Sequence, residues 1–181
     1  MTRFSRAVPA LARTAALAAA LAAGAALSGC ATAARYDAAG DVHALLVAIR
    51  DNDKAAFDAH VDKRALKAQL ETQILDRAQK AQGGDAMRAL GAAFAQPLAD
   101  LAGEALIRPQ TFRAAAEYYG YRPGQPIPDR LTLAAALKPQ GDGTVCAKRR
   151  NDGPCLMTFA NEGGAWRLVA VAPDMAKVKG L

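Results

Sequence analysis

Few side chains in this chain are equipped for covalent or metal chemistry. Its 181 residues include three cysteines (Cys30, Cys146, Cys155), two histidines (His43, His60) and two serines (Ser5, Ser28). Both serines fall in an apolar N-terminal leader expected to be removed, so a Ser-His-Asp hydrolase is excluded in the mature chain. A cysteine nucleophile needs a reduced thiol, which an exported protein does not keep. His43 and His60 are 17 residues apart, and neither belongs to a paired ligand motif, which argues against a histidine-based zinc site. Both read as partly exposed helix residues. Asp51-Asn52-Asp53 begins like a calcium-binding loop, but Ala55 and Ala56 stand where a ligand and a glycine are needed. There is no glycine-rich phosphate motif, and nothing singles out a pair of acids for glycoside chemistry. The expectation is a non-enzymatic protein with no cofactor and no metal.

The clearest signal is an address. Arg3, Arg6 and Arg13 precede an uncharged Ala/Leu run from Thr14 to Leu27, the layout of a secretory signal. As helix that run spans roughly 21 Å at ~1.5 Å per residue, short of a membrane span. It ends in Leu27-Ser28-Gly29-Cys30, which resembles the lipobox of bacterial prolipoproteins. The resemblance implies cleavage before Cys30 and a thioether from its sulfur to diacylglycerol, usually with acylation of the freed amine. Each buried methylene contributes roughly 0.8 kcal/mol, so two or three chains anchor far more firmly than one. Ala31 follows, where lipoproteins kept in the inner membrane often carry Asp. The resemblance therefore implies a cell-envelope protein whose membrane partner is reached through acylated Cys30, at the outer membrane facing the periplasm.

With Cys30 lipidated, Cys146 and Cys155 remain. They bracket Ala147-Lys148-Arg149-Arg150-Asn151-Asp152-Gly153-Pro154, whose Asn-Asp-Gly-Pro is turn chemistry, between flanks that favour strands. A disulfide closing this hairpin suits an oxidising compartment.

The elements that must position these residues read as follows. Residues 1–29 are the signal, 30–40 the lipidated cysteine and a tether, and 41–181 one domain. Asp41 is placed to cap a helix carrying Val42, Leu45, Leu46 and Ile49. Asp53 starts a short helix through Phe57 that ends near His60. Asp62 caps a longer one with Leu66, Leu70, Ile74 and Leu75, stopped by Gln82-Gly83-Gly84. Asp85 starts a helix through Met87, Leu90, Phe94, Leu98 and Leu101, which Pro97 kinks or divides. Pro109 fits the first turn of a helix carrying Phe112 and Ala116 up to Tyr118 and Tyr119, with Gly120 as its stop. Tyr121 to Pro128 is a proline-rich loop, and residues 129–137 are open between helix and strand. Thr144–Lys148, Cys155–Ala160 and Ala165–Val171 then alternate as strands, with Trp166, Leu168 and Ala170 on one face. The fold class is α+β: about five helices packed on a three-stranded antiparallel meander.

Four stretches, Ala48–Asp53, Val61-Asp62 with Leu66–Leu70, Ile107-Arg108-Pro109, and Trp166–Val169, together resemble an uncharacterised family of small bacterial proteins, classed as a domain of unknown function. They span residues 41–171. The resemblance implies a shared fold and no known activity. Each stretch also has a structural reason of its own: Asp53 and Asp62 are good caps, and Trp166 opens an alternating core strand.

Charge narrows the partners. The formal net charge is +6, but without the three signal arginines 20 basic residues face 17 acidic ones, or +3. With the export signal, that disfavours nucleic acid. Lys148-Arg149-Arg150 is a candidate surface for anionic headgroups or an acidic partner. Tyr118, Tyr119 and Tyr121 are a second candidate, walling a pocket or docking a partner. The leading expectation is a lipid-anchored envelope protein acting in interaction or assembly with an envelope partner. The alternative is a periplasmic carrier of small ligands, with an apolar pocket between sheet and helices.

Overall fold

Asparagine and aspartate side chains punctuate the helices. The computed structural model describes residues 32–80, 84–148 and 153–172. Asp53 accepts from the Ala56 N–H at 3.0 Å ahead of α2 (Lys54–Ala59). Asp62 accepts from Arg64 and Ala65 at 2.8 and 3.0 Å ahead of α3 (Lys63–Lys80). Asp129 accepts from Thr132 at 2.7 Å ahead of α6 (Arg130–Ala136). Each satisfies a donor that the first helical turn leaves free. The remaining helices are α1 (32–51), α4 (Asp85–Leu106) and α5 (Pro109–Tyr118), the last with its proline in the first turn. Pro97 sits inside α4 without dividing it.

Asp51-Asn52-Asp53 is a helix stop followed by a helix start. The Asp53 N–H bonds to the Ala48 carbonyl at 2.9 Å and that of Asn52 to Ile49 at 3.4 Å, with Asn52 left-handed at φ 56°. This is a Schellman closure of α1, with asparagine in place of the usual glycine. Its last residue then caps α2.

The first helix begins earlier than the sequence implies. Asp41 is not its cap: α1 already covers residues 32–40, expected as tether, and the compact unit begins at Arg35. Ala38 and Ala39 are fully buried. A segment made mostly of small residues looks weakly patterned, yet alanine is the best helix former and allows close packing.

The sheet has four antiparallel strands in the order β1 (Leu137–Pro139), β2 (Val145–Lys148), β3 (Cys155–Glu162) and β4 (Ala165–Val171). The expected meander is therefore one strand short, and among the described residues the helices number six rather than five. Residues 129–137 hold both conformations: α6 runs directly into Leu137, which pairs with Ala147. A three-residue strand ending in proline leaves almost no alternation to read. Between β3 and β4, Gly163 and Gly164 both have positive φ (63° and 93°), as a two-residue hairpin loop that matches strand twist requires.

One face of the sheet is covered. Val145 pairs with Phe159, and Phe159 with Leu168; all three are buried, with Leu137 and Trp166. Val42, Leu45, Phe57, Val61 and Leu66 supply buried side chains from the helices and their links. Phe57 is fully buried and meets the Phe112 ring edge-on at 5.3 Å between centroids.

The outer edge of β4 is closed by the helical segment. Asp41 accepts the Trp166 N–H at 2.8 Å. The Leu168 N–H bonds to the His60 carbonyl at 2.9 Å, and the Leu168 carbonyl accepts from Asp62 N–H at 3.0 Å. The Gln69 amide both donates to and accepts from the Val171 backbone, at 2.7 and 3.1 Å. A strand edge that would template foreign pairing is thus used up internally.

Candidate functional site

The residues singled out from sequence do not converge on one place. Cys30, Arg149 and Arg150 lie outside the described residues, while Lys148 is half-buried at the end of β2. Cys146 and Cys155 form a disulfide with their Cα atoms 5.6 Å apart, across the β2–β3 pair and with the Cys146 side fully buried. Tyr118 and Tyr119 are exposed and meet edge to face at 5.4 Å. Tyr121 is half-buried with its hydroxyl turned inward, so the three tyrosines do not wall a common pocket. His60 caps the end of α2, its Nδ1 3.6 Å from Asp41 Oδ1. Among the described residues no three His, Cys, Asp or Glu side chains cluster as a metal site, and no helix is long and apolar enough to cross a membrane.

Two features the sequence did not resolve stand out instead. The first is on α4. Leu90, Phe94, Leu98 and Leu101 are 54, 56, 49 and 71 % exposed. At ~100° per residue their spacing keeps them within an arc of about 80°, so they form one apolar stripe facing solvent. The inward face is the neighbouring one, built from small residues: Ala95 and Ala99 are buried, and a Cβ on Gly91 would lie 2.6 Å from that of Ala78. Close approach to α3 requires small side chains, so the large ones are turned away. A helix with two apolar faces gives a pattern that cannot say which of them is covered.

The second is a cleft of about 230 Å³ where α2, α3, the end of α4 and the start of α5 meet. Buried Ile107 and Pro109 line it together with Lys54, Lys63, Glu104 and Arg108. Lys54 and Lys63 share one counterion, Asp58, at 2.7 and 2.6 Å. Burial works against the charge on Asp58, but the hydrogen bonds from the two lysines outweigh it and hold its carboxyl below the usual carboxylate range. The hydrogen bond and charge of Asp58 in turn hold the Lys54 ammonium above its ordinary range. Glu104 is engaged by Lys67 at 3.0 Å, and that bond lowers its carboxyl. Arg108 gives its Nε–H to the Glu104 main-chain carbonyl and makes no ion pair among the described residues. It also stands at the N-cap of α5, which has no side-chain cap. These are binding groups; none is a nucleophile paired with a base.

In the sequence, Ile107-Arg108-Pro109 was visible as a short motif, but its lysine partners lie about fifty residues earlier and belong to other helices. The packing of α3 on α4, seen in the Lys67–Glu104 bond, and of Phe57 on Phe112 brings them together.

A family model described as "Protein of unknown function (DUF2939)" matches residues 15–115, just over half of the chain. No curated protein and no solved structure matches. The match takes in every residue of the cleft and the whole of α4. It ends inside α5, so the Trp166–Val169 stretch and the sheet lie beyond it.

Proposed function

Since the chain belongs to the DUF2939 family of proteins of unknown function, which carries no assigned chemistry, we propose a role from its surface: a non-enzymatic, lipid-anchored cell-envelope protein that binds another envelope protein. The observation that carries the reading is the exposed stripe Leu90, Phe94, Leu98 and Leu101 on α4. Contiguous exposed apolar surface on a folded chain marks a place where another surface docks. The anchor in this proposal is Cys30, on the strength of Leu27-Ser28-Gly29-Cys30 behind a signal-like leader. The alternative, a periplasmic carrier of small ligands, calls for an apolar pocket between sheet and helices.

A photo-crosslinking residue at position 94 of the full chain in cells tests the interaction. The expected result is one discrete adduct, absent when the probe is moved to exposed Arg64 on α3 and lost on adding Leu90→Glu and Leu98→Glu. No adduct from position 94, or the same adducts from position 64, overturns the reading. The anchor is tested apart by labelling with a fatty-acid analogue: a Cys30→Ala chain that still takes up label removes it.

A further inference from the structure

We propose that the cleft between α2 and the start of α5 is a binding site for a phosphate-type oxyanion. Three cations from separate elements, Lys54 (α2), Lys63 (α3) and Arg108 (the α4–α5 link), line it against a single acid, Glu104. Asp58 behind them neutralises part of that charge, yet one carboxylate is shared by two lysines. Each ammonium keeps N–H donors beyond the one that Asp58 takes. Among the described residues Arg108 spends only its Nε–H, on a backbone carbonyl, and the paired nitrogens of its planar fork have no partner there. The cleft therefore offers more donors than the described residues fill, with a net positive charge beside buried Ile107 and Pro109.

Size and direction favour phosphate over a smaller anion. About 230 Å³ holds a tetrahedral oxyanion with a substituent on one oxygen. The α5 helix, ten residues long, opens onto the same space with uncapped backbone N–H groups and the positive end of its dipole. Glu104 at the rim excludes a second negative group on that side, which suits a phosphoester better than a polyphosphate. The same chemistry is presented by a soluble phosphate ester and by the headgroup of an anionic phospholipid. The proposal does not depend on the α4 stripe or on any partner that binds it.

The experiment uses the full chain in a neutral detergent, with thermal shift and calorimetry in sodium phosphate against sodium chloride at matched ionic strength. A parallel flotation assay uses phosphatidylcholine vesicles with and without phosphatidylglycerol. The expected result is saturable phosphate binding that weakens at least tenfold in Arg108→Gln and about threefold in Lys54→Gln. Glu104→Gln should bind several-fold tighter, because it removes the one acid on the lining. Lys54 is exposed, so its variant folds even if Arg108→Gln does not, and the opposite signs at 54 and 104 then decide. Binding only to phosphatidylglycerol vesicles, with the same ranking of variants, assigns the site to a lipid headgroup. No binding in either arm, or Lys54→Gln and Glu104→Gln both binding like wild type, overturns the proposal.

Discussion

Removing the Asp41 carboxylate should loosen the first helix from the sheet, and its cost can be set from the contacts it makes. Asp41 Oδ2 accepts the Trp166 N–H at 2.8 Å, while its other oxygen lies 3.6 Å from His60 Nδ1. Its side chain is only 27 % exposed. A hydrogen bond to a charged group contributes about 1.5–3 kcal/mol, and the upper part of that range applies where the orphaned donor is buried. Trp166 is 4 % exposed, but its N–H lies at the outer edge of β4, where water enters once the carboxylate is gone. We therefore expect Asp41→Ala to cost about 2 kcal/mol, or roughly 4–8 °C in Tm for a domain of this size. Asp41→Asn keeps an acceptor oxygen and should cost about half as much. Asp37 accepts the Trp166 indole N–H at 3.0 Å, yet its side chain is 63 % exposed, so Asp37→Ala should cost under ~1 kcal/mol. Trp166 is the only tryptophan, so its fluorescence in a urea titration reports this junction directly, with far-ultraviolet circular dichroism as the global probe. A loss below about 0.5 kcal/mol for Asp41→Ala, or Asn costing as much as Ala, would refute the reasoning.

Three further outcomes are expected. Reducing the Cys146–Cys155 bond, which spans a sequence separation of 9, should lower stability by about 2.6 kcal/mol on the chain-entropy estimate; two alkylatable thiols in the untreated protein would show that the bond does not form. Phe57→Ala should cost about 3–5 kcal/mol, whereas Phe94→Ala on the exposed stripe should stay within ~0.5 kcal/mol of wild type in the isolated chain; equal effects would mean the stripe is covered. The folded-state depression of the Asp58 carboxyl stabilises the fold above the unfolded Asp pKa of about 3.9 and is lost as pH falls through the lower folded value. Urea titrations between pH 3 and 6 should therefore show a shallower acid-side loss for Asp58→Asn than for wild type, and identical slopes would remove Asp58 from the acid response.

Local rules that act through neighbours in sequence were legible in advance. Asp53 and Asp62 cap helices because their side chains reach N–H groups two or three residues on, a property of the chain itself. The alternation of Trp166, Leu168 and Ala170 places the last strand for the same reason. The Cys146–Cys155 hairpin was readable because turn residues and strand flanks lie between and beside the two thiols. What failed depended on distant partners. Residues 32–40 read as a tether because most of them are small and weakly patterned, and it takes distant partners, Trp166 on Asp37 and Arg130 over Tyr36, to show why they are held. The α4 periodicity marks a helix but not the direction of its stripe, which follows from the close approach of Gly91 to Ala78 on α3, beside buried Ala95 and Ala99. Ile107-Arg108-Pro109 was noticed for its resemblance, while the cleft it lines needs Lys54 and Lys63 from other helices.

The anchor and the stripe proposed above bear on one another through the energetics of association. Four side chains, each about half exposed or more, would gain roughly 3–6 kcal/mol if covered, at about 1.5–3 kcal/mol for a full Leu or Phe burial. Bringing two proteins together from dilute solution costs an estimated 4–15 kcal/mol in lost translation and rotation. The stripe alone therefore holds no partner in bulk. On one membrane face that cost falls, because tethering raises the effective concentration toward the millimolar range. A surface this weak is useful to a chain already confined with its partner, and it avoids aggregation of the same chain while it is still free. The stripe should then crosslink in cells when Cys30 is intact and lose most of its adduct in Cys30→Ala, although the fold is unchanged. Equal crosslinking from the two forms would show that the stripe binds without help from the anchor.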